Sequence, residues 1–278
     1  MLKWDSVFEW GRRASDRQEP APAIPPRDRK LEAAIAGEQV DVQYQPLIEP
    51  STGRVAGAEA LARCSLVGSA DELFSRAAAA RLDERLSRLI QRKALRRAAA
   101  WEGELQGLNL SINLLAADIA HDGYDEWLLG EAEAAGIDAN RITVEITESA
   151  LIDREAATPR LTRLREAGMR IAVDDFGTGY ASLAYLTELP LDLIKIDRGL
   201  VVDIATNERA STVVRTIIEL AHELGLQVLV EGVESTAQLV MLCDWGCDLY
   251  QGFLGAGALS EDELARFVAA SRIDEAAA

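Results

Sequence analysis

Glu49-Pro50-Ser51-Thr52-Gly53 is the stretch whose reading decides the fold. It joins two strand-like runs, residues 42–48 and 54–61, and it is too short for a parallel crossover, which needs roughly a dozen residues or more. The two runs therefore read as an antiparallel hairpin. Outward from it the chain alternates strand and helix signals. Further strand-like runs lie at 108–114, 142–147, 170–174, 193–196, 227–231 and 248–251. Helical patterns separate most of them. Residues 71–101 carry Leu82, Leu86, Leu89 and Ile90 on one stripe and are long enough for two helices. Residues 209–224 place Val213, Ile217, Ala221 and Leu224 in register, with Gly225 as the stop. Strands and helices in this alternation suit a barrel whose usual size is about 250 residues. The expected fold class is α/β, a TIM-like (β/α)8 barrel with one antiparallel strand. An open doubly wound sheet is the alternative, and it would leave an edge.

Composition narrows the function. The 278 residues are 49% apolar and 27% charged, which is globular. The net charge of −17 argues against a duplex nucleic-acid partner, whose phosphates call for a basic surface. It leaves room for a small phosphate ester if cations stand between. Three irregularly spaced cysteines, Cys64, Cys243 and Cys247, make no disulfide framework and suggest a reducing compartment. His121 and His222 are the only histidines, which excludes a His-rich metal centre. The first thirteen residues show no continuous apolar run and no cleavage site, and no stretch approaches the roughly 20 apolar residues of a membrane span. The cytoplasm is the expected location. Pro20, Pro22, Pro25 and Pro26 mark an extended linker. The expected division is a tail and linker over 1–36, a barrel over 37–272 and a disordered end over 273–278. Trp4, Val7 and Phe8 lie at helical spacing, so residues 1–13 are a candidate contact for a protein or a membrane surface.

The polar residues fall at strand ends, where barrels of this class carry their chemistry. Glu59, Asn113, Glu145, Asp174-Asp175, Lys195, Glu231 and Gln251 follow one another along the chain. In Ile142-Thr143-Val144-Glu145-Ile146-Thr147 one face is apolar and β-branched, so Glu145 points to the barrel axis. Lys195 between Ile194 and Ile196, and Glu231 after Val228 and Val230, follow the same parity. Carboxylates gathered at one mouth repel unless a cation joins them. An all-oxygen set without His or Cys favours Mg2+ or Mn2+. Asp175-Phe176-Gly177 spells a kinase motif by accident, since no other kinase element is present. Gly177 and Gly179 give that segment the freedom of a mobile lid.

These residues resemble a known family. Gly57-Ala58-Glu59-Ala60-Leu61-Ala62-Arg63 is similar to the signature of bacterial EAL domains, the cyclic di-GMP phosphodiesterases. Ser111-Ile112-Asn113-Leu114, Glu145-Ile146-Thr147-Glu148-Ser149, residues 174–180, Leu193-Ile194-Lys195-Ile196-Asp197-Arg198, Glu231-Gly232-Val233-Glu234 and Gln251-Gly252-Phe253 follow in the family's order. The resemblance spans about residues 38–270 and implies a TIM-like barrel with an antiparallel strand.

It also implies roles. Glu59, Asn113, Glu145 and Asp174 match the ligands of one metal ion, and Asp174 and Asp175 those of a second. Lys195 matches the lysine that orients the attacking water, and Glu231 and Gln251 match residues that support the second ion and its waters. Arg63 matches a phosphate contact, with Gln45 and Leu61 beside the substrate. Glu148 and Glu234 match residues that anchor the 174–180 loop. The implied reaction opens cyclic di-GMP to linear pGpG with two Mg2+ or Mn2+ ions, in a homodimer. Departures are the shortened segment after Arg63 up to Phe74, Leu115 for a usual Ser, Ser235 for Thr and Phe253 for Tyr. Two other readings stay open: a silent module of the same family that binds nucleotide or a protein, and a different metal-dependent barrel with Lys195 as a carbon-acid base.

Overall fold

The hairpin forms as its short connection requires. β1 (Asp41–Ile48) runs antiparallel to β2 (Val55–Arg63), with Asp41 opposite Arg63 and Ile48 opposite Val55. This computed structural model describes residues 27–147, 154–177 and 185–277. In it follow β3 (Asn109–Leu114), β4 (Ile142–Thr147), β5 (Arg170–Phe176), β6 (Leu193–Ile196), β7 (Gln227–Val230) and β8 (Leu249–Tyr250). From β2 onward each pairs in parallel with the next. β1 meets β8 antiparallel at Ile48 and Tyr250, which closes the barrel in chain order. The expected barrel with one reversed strand is therefore present, and no open sheet forms.

The helices are α1 (Arg29–Ala36), α2 (Ala70–Ala79), α3 (Asp83–Ala99), α4 (Ala116–Ala120), α5 (Tyr124–Ala135), α6 (Arg154–Glu166), α7 (Tyr185–Glu188), α8 (Arg198–Val201), α9 (Glu208–Glu223), α10 (Thr236–Asp244) and α11 (Glu261–Ala277). Residues 71–101 do divide into two helices. In α9 the buried face is Val214, Ile218 and Ala221, whereas Val213 is 46% exposed and Leu224 39%. The expected stripe was thus one residue out. Val213-Val214 and Ile217-Ile218 are adjacent apolar pairs, and period alone does not choose between the members of a pair.

Two boundaries also move. α1 is no linker: Leu31 and Ile35 join the core, Asp28 caps the helix at Leu31 N (3.0 Å), and the same Asp28 carboxylate binds Arg76 of α2 at 2.7 Å. The folded unit therefore includes Asp28–Ala36, ahead of residue 37. At the other end α11 continues to Ala277, through residues expected to be disordered. The Trp4, Val7 and Phe8 stripe lies outside the described residues.

Strand alternation sorts the core. Val144, Ile146, Ile194, Ile196, Val228 and Val230 face the helices and are buried. On the axis, Leu47, Ala172, Leu193, Leu229 and Leu249 form a separate apolar cluster. Beside it a cavity of about 400 Å3 opens at the N-terminal ends of the strands, walled in part by Ser111 and Thr143 and reaching Glu145. Those two residues are 3% and 6% exposed, and neither hydroxyl bonds a protein group among the described residues.

Candidate active site

The C-terminal strand ends converge on Lys195. Its Nζ lies 2.7 Å from Glu145 Oε2, 2.8 Å from Glu231 Oε1, 3.2 Å from Asp174 Oδ1 and 3.5 Å from Glu59 Oε2. Lysine and its partners come from β2, β4, β5, β6 and the end of β7, each by the inward parity of its strand. Lys195 is 1% exposed. Burial alone would discharge it, but the four carboxylates hold its pKa well above the usual lysine range.

The carboxylates differ in support. Burial works against the Glu59 charge, yet Lys195, Gln251 Nε2 (2.9 Å) and Asn113 Nδ2 (2.8 Å) outweigh it and hold the carboxyl below its ordinary value. Glu145 lacks such amide donors. Burial, opposed by Lys195 and reinforced by the Glu59 and Asp174 charges, pushes its pKa well up. Glu231 is pushed up to about 7 by burial, against the pull of Lys195.

Asp174 and Asp175 are consecutive, so regular parity would send them to opposite faces. The structure avoids this with a bulge. Val173 pairs with Ile194 and Phe176 with Ile196, so one extra residue stands in β5. Asp175 takes a left-handed φ of 58°. Its carboxyl feels burial first and then the charges of Asp174 and Asp197, which raise its pKa.

The remaining expected residues are placed as follows. Arg63 Nε bonds Gln43 Oε1 (2.7 Å) and Nη1 bonds the Ala62 carbonyl (2.8 Å), on the inward face it shares with Glu59 and half-buried Leu61. The Gln45 amide is engaged at both ends, donating to the Ala256 carbonyl at 3.0 Å and accepting from Gln251 Nε2 at 2.8 Å. That makes it a brace for Gln251. Glu148 lies outside the described residues, as does Gly179. Glu234 Oε1 meets Arg198 Nη2 at 3.0 Å. The loop after Gly177, which the resemblance has Glu234 anchor, lies outside the described residues. Gly177, at φ 104°, sits so close to Leu200 that a Cβ there would come within 2.4 Å of it. Both histidines stay apart from the site, His222 on Asp248 and His121 on the Asp122 carbonyl.

The donor set fits a hard divalent cation. Four carboxylates face one lysine, a local charge of −3 when all are ionised. Asn113 spends Nδ2 on Glu59, which leaves Oδ1 as a donor, and Gln251 Oε1 is buried with no bonding partner. Among the described residues no three acidic, His or Cys side chains already surround one ion-sized point. Lysine Nζ holds the centre instead.

The match to known proteins follows these strand ends. The EAL domain family model matches residues 28–258. The chain belongs to the EAL domain family. Its lower match boundary coincides with the Asp28 cap of α1. Curated relatives of this EAL domain include the cyclic di-GMP phosphodiesterase NbdA of Pseudomonas aeruginosa, 35% identical over 90% of the chain and 33% of NbdA. The probable cyclic di-GMP phosphodiesterase PdeB of Escherichia coli is 32% identical over 86% of the chain and 46% of PdeB. The chain thus spans a third to a half of these relatives' length. Among solved structures, the PaMucR phosphodiesterase in complex with c-di-GMP superposes with a TM-score of 0.78 at 31% identity, covering 84% of this chain and 98% of that one. BlrP1 of Klebsiella pneumoniae, in a manganese and cyclic di-GMP complex, gives 0.74 at 33% identity over 80% of this chain and 56% of that one.

The sequence did not disclose the β5 bulge, the Gln43 brace on Arg63 or the Glu234–Arg198 ion pair. Only the Asp-Asp repeat ahead of a glycine hinted at the first.

Among the described residues no helix is long and apolar enough to cross a membrane.

Proposed function

We propose that this EAL domain hydrolyses cyclic di-GMP to linear pGpG, using two Mg2+ or Mn2+ ions. The observation that carries the reading is the Lys195 cluster: one buried lysine held among four carboxylates at the barrel mouth, on the strand ends that carry the family motifs. Relatives named cyclic di-GMP phosphodiesterase, and a neighbour complexed with manganese and that nucleotide, support it.

Glu59, Asn113, Glu145 and Asp174 would hold one ion, and Asp174 and Asp175 the other. Bound there, the ions would neutralise charge on the phosphoryl group and make water a better nucleophile at neutral pH. The chain's own residues do the rest. Arg63, whose Nη2 bonds no protein group among the described residues, receives a substrate phosphate. Lys195 Nζ donates to the attacking water and stabilises the negative charge that grows on it. Gln251 and Gln45 keep Glu59 in place. Water attacks one phosphorus in line, and one phosphodiester P–O bond breaks to open the ring.

Incubation with cyclic di-GMP and Mg2+ or Mn2+, followed by chromatography, should yield pGpG, and excess chelator should stop it. Binding without turnover would select the silent-module reading, and turnover in chelator would remove the metal ions from the reaction.

A further inference from the structure

Outside the barrel, α3 buries two polar side chains on its strand-facing side. Ser87 and Gln91, one helical turn apart, are 3% and 1% exposed among leucines and alanines. Apolar residues would fill this face at less cost, since a buried polar group is unfavourable unless bonded. Here the bonds lead to one place. Gln91 Nε2 donates to the Asn113 backbone carbonyl at 2.9 Å and to Ser87 Oγ at 3.0 Å. Ser87 Oγ donates to Asp118 Oδ2 at 2.6 Å, and the same oxygen accepts from Leu115 N at 3.0 Å. Tyr124 OH closes the set on Gln91 Oε1 at 2.9 Å. Pairing of β3 with β2 stops at Ser111, while its other edge stays paired with β4 through Leu114. Beyond it the chain on either side of Leu114 is thus gripped by side chains from α3, α4 and α5.

We infer that Gln91, braced by Ser87, Asp118 and Tyr124, is a positioning residue that sets the Asn113 side chain for cation binding. The inference rests on the metal-dependent reading above. Asn113 can turn Oδ1 to a cation while Nδ2 stays on Glu59 only if its main chain is fixed in both translation and twist. The β4 ladder fixes one edge; on the edge that β2 has left, Gln91 supplies the fixed point at the carbonyl, and Asp118 the next one at Leu115 N. Partners one step removed from a ligand typically alter metal affinity about 10–100-fold.

The test is Gln91→Met, which keeps the volume and removes the bonds. Mn2+ affinity is measured by calorimetry without substrate, beside the thermal midpoint of the metal-free protein and kcat and KM for cyclic di-GMP. The expected result is a roughly 10-fold weaker Mn2+ affinity and a fall in kcat at sub-saturating metal, with KM for nucleotide unchanged. Tyr124→Phe, which spares the Gln91 to Asn113 bond, should weaken Mn2+ only about 2–3-fold. A merely structural role would lower the thermal midpoint and leave Mn2+ affinity alone, and that outcome overturns the proposal. If Gln91→Met does not fold, Tyr124→Phe and Ser87→Ala decide, and wild-type Mn2+ affinity in both overturns it. A wild-type protein that binds Mn2+ without turning over nucleotide sinks only the functional reading. One that binds no Mn2+ overturns both.

Discussion

The two ends of the barrel axis are built to opposite rules. At the C-terminal end four carboxylates crowd Lys195, and the amides of Asn113 and Gln251 complete the cluster. At the N-terminal end Leu47, Ala172, Leu193, Leu229 and Leu249 form an apolar cluster, beside a cavity lined by Ser111 and Thr143, whose hydroxyls bond no protein group among the described residues, and by Glu49, Arg54, Arg170 and Asp248. One residue step along β6 separates the regimes, with Leu193 below and Lys195 above. Like charges at the upper end repel beyond what Lys195 offsets, which a proton or a divalent cation relieves, and apolar burial at the lower end supplies part of what keeps the strands in register despite it. Substitutions at the two ends should therefore separate activity from stability.

The largest effect is expected at the centre of the upper end. Lys195→Ala should lower kcat by roughly 10²–10⁴-fold while cyclic di-GMP binding stays measurable. Steady-state kinetics and calorimetry read the two quantities, and a wild-type kcat would remove Lys195 from the chemistry.

Next come the supports of that cluster. Glu234→Ala should reduce kcat about 10–100-fold, with partial rescue by high Mn2+. Glu234 is paired with Arg198; if it anchors through that pair, Arg198→Ala should reproduce its metal titration, whereas Glu59→Ala should show much weaker rescue. Three superimposable titrations would erase the distinction between a ligand and an anchor.

At the lower end Leu229→Ala should cost about 2–5 kcal/mol of unfolding free energy, read from urea titration, with kcat nearly unchanged. A matching loss of kcat in protein that is still folded would show that the two ends are coupled.

A smaller effect is expected from pH. Folded Glu231 holds its proton up to about 7, against an ordinary 4.5, because burial outweighs the opposing pull of Lys195. The folded chain then binds more protons than the unfolded one in that interval, so stability falls as pH rises through it. In chelator the thermal midpoint should be lower at about pH 8 than at about pH 5, and Mg2+ should raise it more at the higher pH. An equal Mg2+ response at both would refute the charge-strained upper end.

The smallest is Thr143→Val, which lines the cavity without an internal bond. Unfolding free energy should move by less than about 1 kcal/mol and kcat should hold. A large loss of activity would make the cavity part of the site.

Much of this contrast was legible beforehand. The short 49–53 connection dictated the reversed strand, and β-branched parity in residues 142–147 aimed Glu145 inward. What stayed hidden was geometry that departs from period. The β5 bulge was marked only by the Asp-Asp repeat, since Asp175 adopts its left-handed φ without a glycine. Nothing in the sequence marked Ser87 and Gln91 as buried, because a polar residue does not announce a buried partner twenty or more positions away. The α1 boundary was masked by the prolines just before it, although Asp28 stands where a helix cap belongs.

The join between β1 and β8 has a consequence in time. Gln251 and Gln45 are 206 residues apart in sequence, and their bond crosses the same seam that Ile48 and Tyr250 close. Contacts of such separation carry a high loop-closure entropy cost, so they form slowly. A chain still being synthesised can bring Lys195 to Glu145 and Asp174 before Gln251 has emerged to hold Glu59. A partial opening that begins at this seam would free Glu59 from Gln251 while most of the barrel still stands.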